Sequence, residues 1–544
     1  MLFRAKREIS NKIHTLVSKN YLLQLILLFV FCTSLFSQQT NLPLNREWSL
    51  NFEKKNNSID SNLFYNISCF KPYIVNSIHM EKDKSKSLLY RKIKKENFFI
   101  VNDTTDKFYL TIDPLFNFEF GKDTKNPTNE VLYKNTRGIL IKGDIGKDFS
   151  FESSFYENQA TFVNYIDAFN NTMLVVPGQG RWKQFKSNGY DFAMASGYIS
   201  YSPNKHFNFQ LGHGKHFVGD GYRSLLLSDN AFNYPYVRIT STFGKIQYTN
   251  LYAVFMNIDT SYTSASTENL FQKKAASFQM LSWNISKRTQ LGLFQGMIWQ
   301  AGDNMNRQHL NFYYFNPMIY TNALKYGLDN TNNILLGSTL KFKITNSVSL
   351  YGQLMLDDYS SDWNSVKNKN GYQVGLKAFD LFKIRNLHFQ AEYNQVRPYA
   401  YTSQSIEQNY SHYNQPLGDP LGANFKEFIA FLNYRVGDFF AELKFNYAII
   451  GSDSTGKNFG NNIFKSDNTA YYGVNSTNNQ QGQGVQRILM FRDFRIGYLV
   501  NPSTNLNIVL GISNRVDNVM SNKTITNYIY VGIRTSLTNV YYDF

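Results

Sequence analysis

The 544-residue chain reads as all-β: an antiparallel transmembrane β-barrel of about eighteen strands, with short helices plugging the lumen or rim. Three observations predict this. Aromatic residues reach 16%, with 46 Phe and 38 Tyr, a weighting toward strand formers and membrane-interface side chains. Mean hydropathy is −0.38, too polar for a bundle of membrane helices but compatible with strands that show lipid only every second residue. From Phe108 onward, segments of about ten residues alternate apolar and polar side chains, the length a tilted spanning strand needs. A soluble array of β-sandwiches would lack the asymmetry between short turns and long loops described below.

Residues 1–37 read as an export signal. Arg4, Lys6, Arg7, Lys12 and Lys19 form a basic start, the apolar run Tyr21 to Phe36 follows, and Ser37 precedes Gln38-Gln39. The run is short for a spanning helix, so an uncleaved anchor is the weaker alternative. Export implies a location in the cell envelope, as an integral barrel of the outer membrane. The formal net charge is +16, and without the leader about +12 remains. A basic surface attracts lipid phosphates or acidic polysaccharide, and scattered solvated Lys and Arg give the same total. No dense basic cluster interleaved with aromatics is present, so nucleic acid is not an expected partner. Of the two cysteines, Cys32 lies in the leader behind a Phe31 too bulky for a lipidation site. Cys69 then remains as a single thiol, without an internal disulfide.

Residues 38–105 form an N-terminal, periplasmic lead-in, partly helical, able to sit under or inside a barrel that occupies 106–544. Within the barrel, Leu387, Phe389, Ala391 and Tyr393 alternate with His388, Gln390, Glu392 and Asn394. Phe439 to Tyr447, Leu350 to Asp357 and Leu506 to Ser513 repeat the pattern. Tight turns are expected at Ile145–Asp148, Ser202–Lys205, Asn346-Ser347, Val436–Asp438 and Asn501–Thr504, on the periplasmic side. Polar excursions at 259–273, 300–332, 359–370, 399–423 and 451–486 are the long loops. Helical spacing appears in Thr161–Asn171 and in Asn316–Leu328, and both segments are expected to plug the lumen or cap the rim. The chain ends as a strand closing on Phe544, although the apolar parity changes between Ile533 and Val540.

The stretch 205–238 is the most distinctive. A strand through Phe207, Phe209 and Leu211 collapses into a turn holding Gly212, Gly214, Gly219 and Gly221, and strand period resumes at Tyr236. His213, Lys215, His216, Asp220, Tyr222 and Arg223 lie in this excursion as a structural lumen motif. The stretch GHGKHFVGDGYRSLLLSDNAFNYPYVRI resembles the signature of the Wzi-type capsule-assembly family and of its gliding-motility (RemB-like) branch. FKPY at Phe70 to Tyr73 is similar to that family's mature N-terminus. The resemblance implies an outer-membrane barrel with luminal helices. It also implies surface polysaccharide, membrane lipid and lipopolysaccharide, and capsule-export or gliding-motility proteins as partners.

Catalytic motifs are missing: there is no His-Glu-x-x-His, no phosphate-binding Gly-rich loop, no nucleophile elbow and no Cys/His zinc spacing. His213, His216 and Asp220 make a weak metal set in a Gly-rich turn, and neither a metal nor a cofactor is expected. Asp357-Asp358 diverge on a strand and make a poor pair for a glycosidase, and Asp220 with Asp229 is a low-ranked candidate pair. A second polar-aromatic stretch, 394–425, also resembles the family. Arg397, Tyr399, Tyr401, His412, Tyr413 and Gln415 there offer ring faces and hydrogen-bond groups to a sugar, and an interfacial girdle would use the same tyrosines. The expected function is therefore binding or organising surface polysaccharide, without enzymatic activity, in capsule attachment or gliding. A porin or export channel is the alternative.

Overall fold

The computed structural model describes residues 39–59, 68–77, 86–128, 130–258, 271–302, 312–328, 332–362, 365–467, 479–535 and 537–544. The leader, two stretches of the lead-in and parts of the long loops 259–273, 300–332, 359–370 and 451–486 lie outside the described residues. Eighteen antiparallel strands close a barrel. In chain order they are β1 Phe108–Asp123, β2 Leu132–Ile145, β3 Phe149–Ala160, β4 Gly189–Asn204, β5 Phe207–Gly214 and β6 Tyr234–Phe243. Next come β7 Ile246–Ile258, β8 Phe271–Asn284, β9 Thr289–Gly302, β10 Asn333–Lys343, β11 Val348–Asp358 and β12 Lys369–Ala378. The last six are β13 Leu387–Val396, β14 Phe425–Val436, β15 Phe439–Ser452, β16 Val485–Asn501, β17 Leu506–Val519 and β18 Asn522–Arg534.

Closure pairs β18 with β1, from Tyr528↔Asp123 to Arg534↔Asn117. Below that seam, the short strand Phe99–Asp103 continues on β1 against Phe108–Ile112. The alternation behaves as the two-solvent environment demands. Leu354, Val374 and Leu510 are exposed on the outer wall, while Gln353, Gln373 and Asn507 are buried inside. Two-residue turns such as Gly244-Lys245 and Gly437-Asp438 lie at one end, the periplasmic end by the usual barrel asymmetry. The opposite end carries the long loops, with one exception: β17 and β18 are joined there by Met520-Ser521 alone.

Irregular backbone at membrane depth must be buried in protein, and here it fills the lumen. Helix α1, Arg46–Asn57, lies across the periplasmic mouth. Its Lys54 pairs with Asp380 (2.7 Å), and Asn57 bonds to the Asn346 carbonyl (3.1 Å); both partners sit in periplasmic turns. Helix α2, Leu88–Lys94, packs at the same end, where Asn501 donates to the Lys92 carbonyl (3.1 Å). Helix α3, Asn164–Met173, realises the first expected helix and packs Phe169 on Phe544 (4.9 Å between rings).

Two expectations are corrected. The segment after β9, including helix α4 Thr321–Tyr326, lies on the outer wall rather than in the lumen. The Tyr252 hydroxyl donates to the Phe315 carbonyl (3.0 Å) and Trp299 stacks on Tyr314 (4.5 Å), and both wall residues have outward parity. Helical spacing identifies an apolar face but not which side of the wall covers it. The chain also does not end as a strand. The ladder stops at Arg534, and residues 537–544 turn into the lumen, where Tyr541 and Asp543 are buried. The parity change after Ile533 marks this departure from the sheet.

Candidate functional site

The Gly-rich excursion between β5 and β6 folds inward as a loop bolted to six consecutive strands, one polar side chain from each. Lys341 on β10 binds Asp220 (2.8 Å). Gln353 on β11 accepts from Leu225 N–H (2.8 Å) and donates to the Val218 carbonyl (2.7 Å). Gln373 on β12 donates to the Arg223 carbonyl (3.0 Å). Glu392 on β13 accepts from the Tyr222 and Arg223 N–H groups (2.7 and 2.9 Å), Glu427 on β14 pairs with Arg223 (2.9 Å), and Lys444 on β15 donates to the Tyr222 hydroxyl (2.9 Å). The glycines permit this contact. A Cβ at Gly219, whose φ is +127°, would meet Gln353 at 2.1 Å, and one at Gly221 would meet Gln373 at 2.7 Å.

Arg223 is the centre of the plug. Its guanidinium faces Glu427, Asp543 of the inward tail (3.1 Å) and Asp419 (3.9 Å), all fully buried. Burial pushes Asp419 well above the carboxylate range, with Glu427 adding to the effect, which favours its protonated form. Burial also acts on Asp543, but Arg223 and Lys444 outweigh it and hold that carboxyl at about 2.

The remaining motif residues are buried in the same assembly, with one exception. Lys215 donates to the carbonyls of Gly178 (2.6 Å) and Asp229 (3.1 Å), and burial lowers its pKa to about 8. His216 packs between Phe70 and Tyr236, and burial lowers it well below the usual imidazole range. His213 instead shares the outward parity of Phe209 and Leu211, 3.0 Å from the Ala195 carbonyl. Short strands Phe217–Val218 and Phe70–Lys71 pair, tying the lead-in to the motif.

The second stretch, residues 397–424, also enters the lumen, and five of its six singled-out residues are buried with protein partners. Arg397 donates to the carbonyls of Asn368 (2.8 Å) and Asn479 (2.9 Å). Tyr399 and Tyr401 hold left-handed φ values of 64° and 67°, which costs a bulky residue about 1–3 kcal/mol unless its surroundings impose it. Their hydroxyls donate to the carbonyls of Asn458 (2.6 Å) and Leu225 (2.8 Å). His412 accepts from Met256 N–H and faces the Asn233 carbonyl, both at 3.0 Å, and burial lowers its pKa to about 3. Gln415 spans the Gly178 N–H (2.7 Å) and the Gln179 carbonyl (2.9 Å).

Tyr413 alone reaches the surface. It packs on Phe232 (4.9 Å) and Phe271 (6.0 Å), with Arg181 lying 5.3 Å over the Phe271 ring. These four form a half-exposed aromatic and cationic patch at the loop end. Phe232 and Arg181 come from two separate loops and Phe271 opens β8, so their spacing in sequence carries no signal.

Asp220 is engaged by Lys341, and Asp229 accepts from Tyr541 (2.6 Å) and Asn539 (3.2 Å). Among the described residues, no group of three or more His, Cys, Asp or Glu is placed to hold a metal. Beside the plug a luminal cavity of about 300 Å³ remains, lined by Tyr165, Tyr528, Lys134, Arg515 and Asp493 among others.

Residues 113–523 match the family described as capsule assembly protein Wzi. The chain belongs to the Wzi capsule-assembly family. The match runs from within β1 to the start of β18 and includes both luminal loops. None of the comparisons reaches the gliding-motility branch. No curated protein matched the chain. Among solved structures, Wzi of Escherichia coli, a carbohydrate-binding β-barrel involved in group 1 capsule assembly, is 15% identical. The alignment covers 78% of this chain and 85% of that one, with a TM-score of 0.48. OprD of Pseudomonas aeruginosa is 10% identical over 82% of this chain and 96% of its own, with a TM-score of 0.41. This Wzi-family member is an outer-membrane barrel, and among its described residues no helix is long and apolar enough to cross a membrane.

Proposed function

We propose that the protein binds surface polysaccharide at its loop end and holds it at the outer membrane, as a non-enzymatic anchor in capsule assembly. The observation that carries this is the aromatic patch of Tyr413, Phe271 and Phe232 with Arg181, presented above a filled lumen. Ring faces stack on the apolar side of a sugar, and a guanidinium binds hydroxyls or carboxylates. Arg397, Tyr399, Tyr401, His412 and Gln415 serve this site by fixing the loop that carries Tyr413. Membership of a capsule-assembly family supports the ligand class.

The test is calorimetric binding of the detergent-folded barrel to the producing organism's own polysaccharide. Tyr413→Asn keeps a residue that tolerates the observed φ of 50° and removes the ring. Combined with Arg181→Ala, it is expected to weaken binding at least tenfold. Absence of binding to any envelope glycan would sink the reading. Steady conductance in planar bilayers would favour a channel instead.

A further inference from the structure

We propose that the periplasmic mouth of the lumen is a second ligand site, which takes the carboxylate of an acidic sugar in a short stretch of glycan. The sugar class rests on the glycan-binding reading above; the site itself rests on separate geometry. A cavity of about 700 Å³ opens at the short-turn end, beside α1, within the usual size of a small-ligand site.

Its wall contains Arg46, Arg385, Arg435, Arg495 and His388 against only Glu47 and Glu442. Those two carboxylates are already committed. Glu442 binds Arg46 and Arg495 (2.6 Å to Arg495), and Glu47 binds Arg495 (3.1 Å) and Arg534 (2.9 Å). Arg385 and Arg435 lie outside that network, at the rim. Three buried nitrogens of the lining residues have no hydrogen-bond partner among the described residues: Arg46 Nε, Arg495 Nε and His388 Nδ1. These three atoms are themselves covered, so the donors the cavity presents to an entering acceptor are the guanidinium groups of exposed Arg385 and half-buried Arg435, which can only donate. A planar guanidinium suits a carboxylate, which it can engage through two parallel bonds. Leu50, Phe440 and Leu499 add apolar surface for a sugar ring.

The mouth is separated from the luminal cavity by the ion-pair cluster itself, since Arg46, Glu47, Glu442 and Arg495 line both spaces. A carboxylate entering from the periplasm meets the arginines of this partition directly. Ligand in the mouth therefore competes with Glu47 and Glu442 for the same cations. The site faces away from the Tyr413 patch and is filled independently of it.

The test uses the full detergent-folded barrel carrying Asn51→Cys, an exposed position in the cavity wall; Cys69 is buried. Trigalacturonate is expected to slow maleimide labelling of that thiol at least fivefold, whereas uncharged maltotriose and inorganic phosphate leave it unchanged. Adding Arg385→Ala and Arg435→Ala, both at the rim and outside the buried pairs, should raise the trigalacturonate Kd at least tenfold. Protection by phosphate or maltotriose at similar concentration, or undiminished protection in the double variant, overturns the proposal. Tyr413→Asn should leave protection intact while weakening the native polysaccharide. Loss of the surface reading and loss of this one are thus separately visible.

Discussion

The Gly-rich luminal loop and helix α1 both plug the barrel, but the wall holds them by different means. The loop is gripped through its own backbone and a fully buried arginine by side chains from six strands. Helix α1 is held through side-chain ion pairs instead: Glu53 pairs inside the lumen with Lys71 (3.0 Å) and Lys377, and the pairs at the two ends of the helix are partly solvated. The side chains of Lys54 and Asp380 are 28% and 30% exposed, and those of Arg534 and Glu47 are 22% and 26% exposed. Partly solvated pairs of that kind contribute about 0–1 kcal/mol each, whereas losing one partner of a buried pair costs about 3–5 kcal/mol. One plug is part of the core; the other is fastened beside an open cavity.

The sharpest way to break this contrast is Arg223→Met. It strands Glu427 as a buried carboxylate without its cation and leaves Asp543 with Lys444 alone, and a loss of about 3–5 kcal/mol is expected. Thermal unfolding in detergent would show it, and planar bilayers should register new conductance as the loop and tail loosen. An unchanged melting temperature would mean that the six-strand grip does not depend on its central charge.

A smaller effect is expected at Asp543. Asp543→Asn keeps the shape but weakens the pairs to Arg223 and Lys444 (2.8 Å), for a loss of about 1.5–3 kcal/mol, the range for hydrogen bonds to charged groups. The pH dependence has a definite sign. Because the folded carboxyl sits at about 2, below its ordinary 3.8, its contribution is complete above about pH 4 and disappears as pH falls through 2. Wild type and variant should therefore differ by a constant amount from pH 7 to pH 5 and converge only in strong acid.

Much of this fold is legible in the chain because the wall has two different solvents. Leu350, Leu354 and Leu356 face lipid and Gln353 and Asp357 face the lumen, so period two reports both. The strand count follows from the same signal and from the turns. Inside the lumen the signal fails. Tyr399, Tyr401 and Arg397 have the composition of a sugar platform and also of a plug, since both need aromatic and polar groups in a Gly- and Pro-containing loop. Only their burial separates the two uses. Glu392 and Glu427 are legible as inward-facing, but their partner, Arg223, lies 169 and 204 residues away. The tail was concealed by its own alternation: Val540, Tyr542 and Phe544 repeat at period two, yet they pack against α3 and the wall rather than in a sheet.

Between the two plugs in strength stands the loop of residues 397–424. Tyr401→Phe removes the donor to the Leu225 carbonyl, joining one luminal loop to the other, and leaves a buried acceptor unpaired at about 1–3 kcal/mol. If the loop is a support for Tyr413 rather than itself the contact surface, glycan affinity should fall only as far as the loop loosens. Hydrogen exchange at Tyr410 and Leu417 would follow that loosening. Affinity lost without faster exchange would move Tyr401 from support to contact.

The smallest effect separates the periplasmic plug from the core most cleanly. Asn45 caps α1 by accepting from the N–H groups of Glu47 (2.9 Å) and Trp48 (3.3 Å), and Asn45→Ala should cost the helix about 1 kcal/mol. Lys54→Ala, at the other end, should cost less than that. Neither change should alter the global unfolding temperature, because α1 bears on the wall through side chains rather than through the sheet. Both should accelerate exchange and proteolysis within Arg46–Asn57 while the amides around Arg223 stay protected. Equal acceleration at both places would mean that the two plugs open as one unit, and that the ion-pair partition between the cavities is mechanically part of the luminal core.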